Sequence, residues 1–257
     1  MLRTRILSAL VLAPLALAAI WFGSPWFTLL AALAGAIMGW EWARIVTDRF
    51  GKAGFALSVL AAAAAVLAQI EPAFAFLVLA LAVAGGYSLG REQRDWLGLG
   101  AFYIILPVIA LVWLRNLEGG LETVLWLMLL VWATDTGAYF AGRTIGGPRL
   151  APRISPKKTW AGLIGGMLSA ALVGAAVAAF WNLSVIVLVA VSALLAVVAQ
   201  LGDLGESGVK RHFGVKDSSA IIPGHGGVLD RVDGIMPVAV VVAVVVLVMG
   251  GGVLQWH

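Results

Sequence analysis

The sequence contains no cysteine, which excludes disulfides, thiolate metal sites and a cysteine nucleophile. Charged residues are also scarce: they make up 12% of the 257 residues, whereas 62% are hydrophobic, and the mean hydropathy is +1.02. A soluble globule of this length needs far more polar surface. The composition therefore indicates a membrane protein. The formal net charge of +4 does not indicate a nucleic-acid partner, because no RNA- or DNA-binding motif accompanies it.

The long apolar stretches predict nine membrane-spanning helices, since each crossing of the hydrocarbon core needs roughly 20 apolar residues. With the N-terminus in the cytoplasm, every Lys and Arg except Arg115 falls on the cytoplasmic side, as the positive-inside rule requires. We therefore predict an all-α, polytopic bundle with a cytoplasmic N-terminus. The predicted spans are residues 6–22, 26–43, 53–70, 73–90, 96–114, 123–141, 160–181, 184–201 and 235–255.

No Ser-rich linker, low-complexity tract or clear internal repeat divides the chain, so residues 1–257 are predicted to form a single membrane domain. An alternative interpretation of residues 1–22 is a cleaved signal peptide, but the apolar run is long for a signal core. Glycines recur at near-helical spacing, for example at Gly166 and Gly174. This spacing is typical of close contact between helices and favours packing over a ligand role.

Residues 202–234 concentrate the charges of an otherwise apolar chain. Asp203 and Ser207 share one face with Lys210 if the preceding helix continues, and Asp230 and Asp233 repeat the three-residue spacing of Asp203 and Glu206. Carboxylates suit Mg²⁺, while Lys and Arg neutralise phosphate. The segment therefore predicts a site for a divalent metal and a polyphosphate, and the alternative is a solvated cytoplasmic loop. Its other polar residues and loop glycines include Arg211, Lys216, Asp217, His225, Gly226, Gly227 and Arg231.

His225 stands between two glycines, and its imidazole can act as a base, as a hydrogen-bond donor to phosphate or as a structural contact within the loop. The sequence leaves these three roles open. A zinc site is not favoured, because the chain has no His-x-x-His pair.

Two further polar groups lie upstream of this segment. Asp135 falls in or near the end of an apolar helix, where an uncompensated carboxylate costs about 2.5–3.5 kcal/mol. It is expected to contact a metal or substrate, or alternatively an Arg of a neighbouring helix. Two hydroxyls and two lysines then precede a helix predicted to begin near Trp160, and free N–H groups at such a helix start favour phosphate. The alternative is a basic cluster that only sets topology. These residues are Ser155, Lys157, Lys158 and Thr159.

Taken together, these motifs resemble the signature of phosphatidate cytidylyltransferases, also called CDP-diacylglycerol synthases. The resemblance is carried by Ser207-Gly208-Val209-Lys210-Arg211, by Lys216-Asp217 and by Pro223-Gly224-His225-Gly226-Gly227-Val228-Leu229-Asp230-Arg231-Val232-Asp233. It extends to Asp135-Thr136-Gly137-Ala138-Tyr139, to the run from Leu150 to Trp160 and to Gly202-Asp203-Leu204, and more loosely to Trp40-Glu41-Trp42. Gly205 stands where members often have a bulky residue, a departure that removes no charged group.

The resemblance implies a homodimeric enzyme of phospholipid biosynthesis in the bacterial inner membrane, with its active site facing the cytoplasm. Such an enzyme converts CTP and phosphatidate into CDP-diacylglycerol and pyrophosphate with Mg²⁺, and the family also suggests a monovalent cation such as K⁺. Membrane lipids are then partners as well. Residues 1–120 are expected mainly to pack, while residues 121–257 form the catalytic half with cytoplasmic loops at 142–159 and 202–234.

Within this interpretation Asp203 and Asp230 are the principal metal ligands and Asp233 assists them. Lys210, Arg211 and His225 complete the predicted catalytic residues. No strong general base is required, because the attacking lipid phosphate is already ionised at neutral pH. Substrate contacts are expected from Asp135, Ser155, Lys157, Lys158, Thr159, Ser207, Lys216, Asp217, Gly226, Gly227 and Arg231.

Two other functions compete with this interpretation. A CDP-alcohol phosphotransferase is also a polytopic, metal-dependent lipid enzyme, and Asp230-Arg231-Val232-Asp233-Gly234 imitates the start of its Asp-x-x-Asp-Gly motif. The imitation ends there, because Ile235 begins an apolar span without further aspartates. An ion or solute transporter would explain carboxylates near helix ends, but not a dense group of phosphate-suited residues in one segment.

Overall fold

The computed structural model describes residues 2–256, apart from the side chains of residues 2–7, 9 and 91. The charges of Arg3, Arg5 and Arg91 in the predicted topology therefore lie outside the described side chains. The structure is 79% helical, which confirms the all-α fold class. Among the described residues, eight helices are long and apolar enough to cross a membrane, and the apolar stretch Leu10–Phe22 of the first helix is shorter. The predicted count of nine spans is close to this.

The helices follow the predicted spans closely, because apolar length is a local property of the sequence. They are α1 (Leu2–Phe22), α2 (Trp26–Thr47), α3 (Lys52–Ile70), α4 (Pro72–Leu89), α5 (Arg94–Asn116), α6 (Gly120–Thr144), α7 (Trp160–Trp181), α8 (Val185–His212), α9 (Leu229–Val232) and α10 (Ile235–Met249). Short 3₁₀ turns occupy Arg91–Gln93 and Val253–Gln255.

Two features differ from the predicted boundaries. The helix predicted to end at residue 201 continues as α8 to His212, so the connecting segment after it is shorter than the predicted loop 202–234. The predicted loop 142–159 contains two short antiparallel strands, β1 (Arg149–Ala151) and β2 (Ser155–Thr159), with Arg149 opposite Thr159. Neither strand is long enough to give an alternating apolar pattern, so periodicity did not indicate them.

The chain folds into two compact units, of which the first comprises residues 1–116 and 212–232. Its helix α2 approaches α3 closely at Gly39, where an added Cβ would lie 2.9 Å from the backbone of Ser58. The indole N–H of Trp42 donates to the carbonyl of Trp96 at 2.8 Å. Trp42 is 1% exposed. This packing fixes the inner part of α2 against its neighbours.

Arg115, the exception to the predicted charge partition, has a structural role within the first unit. Its guanidinium donates from Nε to the carbonyl of Ile20 at 2.6 Å and from Nη2 to that of Trp21 at 3.1 Å. Both carbonyls belong to the last turn of α1, where helix carbonyls lack intrahelical partners and attract a cation. The contact gives the basic residue at this end of α5 a structural role.

The second unit comprises residues 117–211 and 233–257. An added Cβ at Gly166 would lie 3.0 Å from the carbonyl oxygen of Thr134, so α7 packs closely on α6. Gly174 faces the carbonyl of Leu188 in α8, where an added Cβ would lie 2.5 Å away. These contacts confirm the predicted packing role of the glycines. The indole N–H of Trp126 donates to the hydroxyl of Ser192 at 3.1 Å and joins α6 to α8.

Candidate functional site

In the first unit, the segment after α8 is held against α2 by a single buried carboxylate. Glu41 is 0% exposed. Its Oε1 accepts from the hydroxyl of Ser219 at 2.7 Å and from the main-chain N–H of Val228 at 2.8 Å. Its Oε2 accepts from the hydroxyl of Ser218 at 3.2 Å and from the N–H of Leu229 at 2.8 Å. Two main-chain N–H groups, the Ser219 hydroxyl and a Ser218 hydroxyl shared with Asp230 thus compensate the loss of water around this carboxylate.

Asp230 belongs to the same hydrogen-bonded network. Its Oδ2 accepts from the N–H and the hydroxyl of Ser218, both at 2.9 Å, and from the N–H of Gly227 at 2.8 Å. Ser218 therefore lies between the carboxylates of Glu41 and Asp230. Gly227 has no space for a side chain, because an added Cβ would overlap both Ser218 and Glu41. The glycines of this segment allow the backbone to enclose the Asp230 carboxylate.

The same unit contains a cavity of about 550 Å³. Its lining includes the side chains of one Lys, one Arg and one His, and few large apolar side chains. The Nδ1 atom of His225 is buried and has no hydrogen-bonding partner within the described part of the chain. Predicted site residues thus lie together in one place. The lining consists of Lys216, Asp217, Ser219, Ala220, Ile222, Gly224, His225, Gly226 and Arg231.

In the second unit, a lysine and a hydroxyl hold the carboxylate of Asp203. The ammonium of Lys158 lies 2.7 Å from Oδ2 of Asp203 and donates to the carbonyl of Gln200 at 3.2 Å. The hydroxyl of Ser207 donates to Oδ1 at 3.2 Å. The contact confirms that Asp203 and Ser207 share one face of a continuing helix. It also joins the predicted basic cluster before α7 to the predicted metal ligand on α8.

Asp233 lies within reach of further negative charges in this unit. Burial first, then the carboxylates of Asp203, Glu206 and Asp135, raise the pKa of Asp233 to about 8, while the N–H of Gly234 opposes the shift. That N–H donates to Oδ1 of Asp233 at 2.9 Å. We call Asp135, Asp203, Glu206 and Asp233 the acidic cluster. The predicted metal or substrate contact of Asp135, or its alternative, an Arg partner, stays a prediction.

The acidic cluster depends on a close backbone approach and is partly neutralised. An added Cβ at Gly202 would lie 2.6 Å from the carbonyl oxygen of Asp233, so only glycine allows this approach to α8. The ammonium of Lys210 lies 3.2 Å from Oε1 of Glu206, one turn along α8. Both side chains are buried. Lys210 is thus placed beside the acidic cluster, as its spacing from Asp203 indicated.

The residues before α7 divide between capping and exposed positions. The hydroxyl of Thr159 accepts from the N–H of Gly162 at 3.0 Å and so caps α7, which begins at Trp160 as predicted. Ser155 lies half-buried in β2, and Lys157 is exposed. The predicted substrate contacts of these residues stay predictions.

The three predicted metal ligands do not all belong to the same unit. Asp230 belongs to the first unit, and Asp203 and Asp233 belong to the second. Among the described residues, no three acidic or histidine side chains converge on one metal position. Arg211 is exposed at the end of α8.

Glu41 received no predicted role from the sequence, although the resemblance reached Trp40-Glu41-Trp42, because residues 1–120 were expected mainly to pack. The available signal was a carboxylate within the apolar stretch 26–43, which is as costly there as at Asp135.

Comparison with known proteins gives consistent similarities over nearly the whole chain. Residues 3–249 match the model of the cytidylyltransferase family. The phosphatidate cytidylyltransferase of Brucella suis is 40% identical over 253 residues, covering 93% of this chain and 90% of the relative. That of Pseudomonas aeruginosa is 37% identical, covering 98% and 99%. That of Staphylococcus haemolyticus is 51% identical over 119 residues, or 46% of each chain.

Proposed function

Because this chain belongs to the cytidylyltransferase family, we propose that it is a phosphatidate cytidylyltransferase, which converts CTP and phosphatidate into CDP-diacylglycerol and pyrophosphate. The observation that carries the proposal is the 37–40% identity to proteins of that name over at least 93% of the chain. The apolar helices agree with a lipid substrate, since they are long and apolar enough to cross a membrane.

In the proposed reaction, a phosphate oxygen of phosphatidate attacks the α-phosphorus of CTP. A new P–O bond forms there, the bond from the α-phosphorus to the bridging oxygen breaks, and its electron pair leaves with pyrophosphate. The attacking oxygen is already ionised at neutral pH, so the chain need not supply a strong base. What it must supply is positive charge and hydrogen-bond donors, because two anionic reactants repel each other.

The cavity of the first unit has the side chains for a polyphosphate. Lys216 and Arg231 carry positive charge. The buried Nδ1 of His225, which has no hydrogen-bonding partner among the described residues, is the kind of polar atom that a ligand satisfies. Gly224 and Gly226 have φ of +77° and +87°, a backbone conformation that residues with a side chain rarely adopt, so glycine is required for the turns that bring this segment to the cavity. We assign the phosphates of CTP to these residues.

We propose that a divalent cation binds at the acidic cluster of the second unit, where no three described acidic or histidine side chains already converge on one metal position. Burial first, and then the charges of Asp203, Glu206 and Asp135, raise the pKa of Asp233, so a bound cation would favour its charged form. Carboxylate oxygens are the ligands that Mg²⁺ prefers. Asp203 and Asp233 would hold the ion, and a metal-ligand role for Asp230 stays a prediction. When bound, Mg²⁺ would neutralise the negative charge that develops on the transferred phosphates. A monovalent cation such as K⁺ stays a prediction for this enzyme.

The basic residues before α7 and on α8 complete the proposal. Lys158 orients the carboxylate of Asp203 through the 2.7 Å ion pair, and Lys157 is exposed and available to a phosphate. Lys210 and Arg211 add positive charge on α8. We also propose a homodimer in the bacterial inner membrane, with the reaction on the cytoplasmic side.

The proposed orientation can be tested by labelling single cysteines, because the chain has no native cysteine. Single cysteines at Ser24, Asn116 and Ser184 should react with an impermeant thiol reagent added outside intact cells. Cysteines at Glu92 and Arg153 should react only after the membrane is permeabilised. The reverse pattern would contradict both the orientation and a cytoplasmic reaction.

The reaction itself is tested by isotope exchange with the purified protein. We expect labelled pyrophosphate to enter CTP only when phosphatidate is present, together with formation of CDP-diacylglycerol. A CDP-alcohol phosphotransferase would instead consume CDP-diacylglycerol and a free alcohol without pyrophosphate exchange. A transporter would catalyse neither reaction, so either result would reject the proposed function.

A further inference from the structure

We propose that Glu41 is the positioning residue of the segment 218–229, and that it fixes the Asp230 carboxylate through Ser218. The proposal rests on the proposed function, because it assigns Glu41 to the site in which Asp230 acts. Glu41 does not contact the substrate in this proposal. It belongs to α2, in the half of the chain that the sequence analysis assigned mainly to packing.

The first argument is the completeness of the hydrogen bonding. Glu41 is 0% exposed, and each of its two oxygens accepts one hydroxyl and one main-chain N–H. The main-chain donors, Val228 and Leu229, lead directly into Asp230. A helix of the packed bundle therefore holds the two residues that precede this aspartate at distances of 2.8 Å.

The second argument is the shared hydroxyl of Ser218. Its Oγ lies 3.2 Å from Oε2 of Glu41 and 2.9 Å from Oδ2 of Asp230. A hydroxyl has one hydrogen, so the two carboxylates compete for it and the position of one affects the other. Glu41 thus acts on Asp230 along two routes, through the main chain at 228–229 and through Ser218.

The third argument concerns what can replace Glu41. The N–H groups of Val228 and Leu229 can only donate, and they point at different oxygens of the carboxylate. In Glu41→Gln, whichever way the amide turns, its NH₂ group faces one of these N–H donors. The substitution keeps the size of the side chain and yet leaves one buried donor without an acceptor. Glutamine is therefore a sensitive probe of this position.

The experiment compares Glu41→Gln, Ser218→Ala and the double variant in lipid nanodiscs, with Glu71→Gln as the matched control. Glu71 accepts from the N–H of Ala73 at the exposed start of α4, so the same substitution there should leave both measurements unchanged. Hydrogen exchange followed by mass spectrometry reports on residues 218–229 without any substrate. Steady-state kinetics with CTP and phosphatidate report kcat and KM.

We expect Glu41→Gln to speed hydrogen exchange in 218–229 by at least about tenfold while exchange in the helices stays unchanged. We also expect it to lower kcat by about 10- to 100-fold, as the loss of a group that orients a site residue does. The double variant should be no worse than Glu41→Gln, since both changes act on one network. Wild-type exchange in this segment, uniform loss of protection along the chain or additive losses in kcat would overturn the proposal.

The two proposals fail in distinguishable ways. If the unaltered protein shows no phosphatidate-dependent turnover, the proposed function is wrong, while the exchange result still decides whether Glu41 fixes the segment. If Glu41→Gln does not accumulate as folded protein, Ser218→Ala decides alone. It should raise exchange around Gly227 and lower kcat, and behaviour like the unaltered protein would overturn the proposal.

Discussion

Asp203→Asn should lower turnover by at least about 100-fold, the upper end of what loss of a supporting group costs at a metal site. Asparagine keeps the size of the side chain but removes the charge that a divalent cation requires. Its amide also no longer pairs with the ammonium of Lys158, which lies 2.7 Å from Oδ2 in the unaltered protein. Turnover should be measured with CTP and phosphatidate over a range of Mg²⁺ concentrations.

A second measurement distinguishes loss of metal binding from loss of the ion pair between Asp203 and Lys158. Mn²⁺ is paramagnetic, so its binding to the purified protein can be followed by electron paramagnetic resonance, and Asp203→Asn should weaken it along with turnover. Asp95→Asn is the matched control, because the Asp95 carboxylate is 77% exposed and pairs only loosely with Arg94, at 3.8 Å. Undiminished Mn²⁺ binding in Asp203→Asn would reject Asp203 as a ligand, whatever the turnover.

Lys158→Arg should lower activity by about 10- to 100-fold, even though the positive charge is retained. The Lys158 side chain is 18% exposed and directs a compact ammonium to Asp203 and to the carbonyl of Gln200. A planar guanidinium is larger and presents its donors in a fixed fork, so it fits this place badly. Lys157→Arg, at an exposed neighbouring position, should have a smaller effect.

The control must show that topology survives, because a basic cluster that only sets orientation would tolerate arginine. An orientation reporter fused after α7 should give the same signal in Lys158→Arg as in the unaltered protein. Lys52→Arg, at the exposed start of α3, is the matched substitution elsewhere and should leave activity intact. Full activity in Lys158→Arg would show that Lys158 only helps to set the orientation of the chain in the membrane.

Much of the fold was predictable because a membrane imposes a length on each helix. The short stretches 73–90 and 123–141 are both helical, as α4 and α6. The predicted span 184–201 ends where the charged residues begin, whereas α8 continues to His212, as the common face of Asp203 and Ser207 required. Charged residues end a membrane span because they leave the hydrocarbon core. The helix itself continues for as long as its residues have sufficient helix propensity.

The candidate site was predictable where its residues are close in sequence. The common face of Asp203 and Ser207 followed from helical spacing, and the grouping of Lys216, His225 and Arg231 around one cavity followed from their place in one short segment. Thr159 was predicted to contact substrate. In the structure its hydroxyl accepts from the N–H of Gly162 and so caps α7, while the substrate contact stays a prediction.

The sequence by itself determined the membrane class, the succession of helices and the segments that carry charge, because hydropathy and motif spacing are read along the chain. Only the tertiary structure decided which distant residues meet. Glu41 contacts Ser218 across 177 positions, and Lys158 contacts the carbonyl of Gln200 across 42. No spacing rule connects such positions, since each contact depends on how the helices pack. A buried carboxylate accepts only the donors that this packing brings within hydrogen-bonding distance.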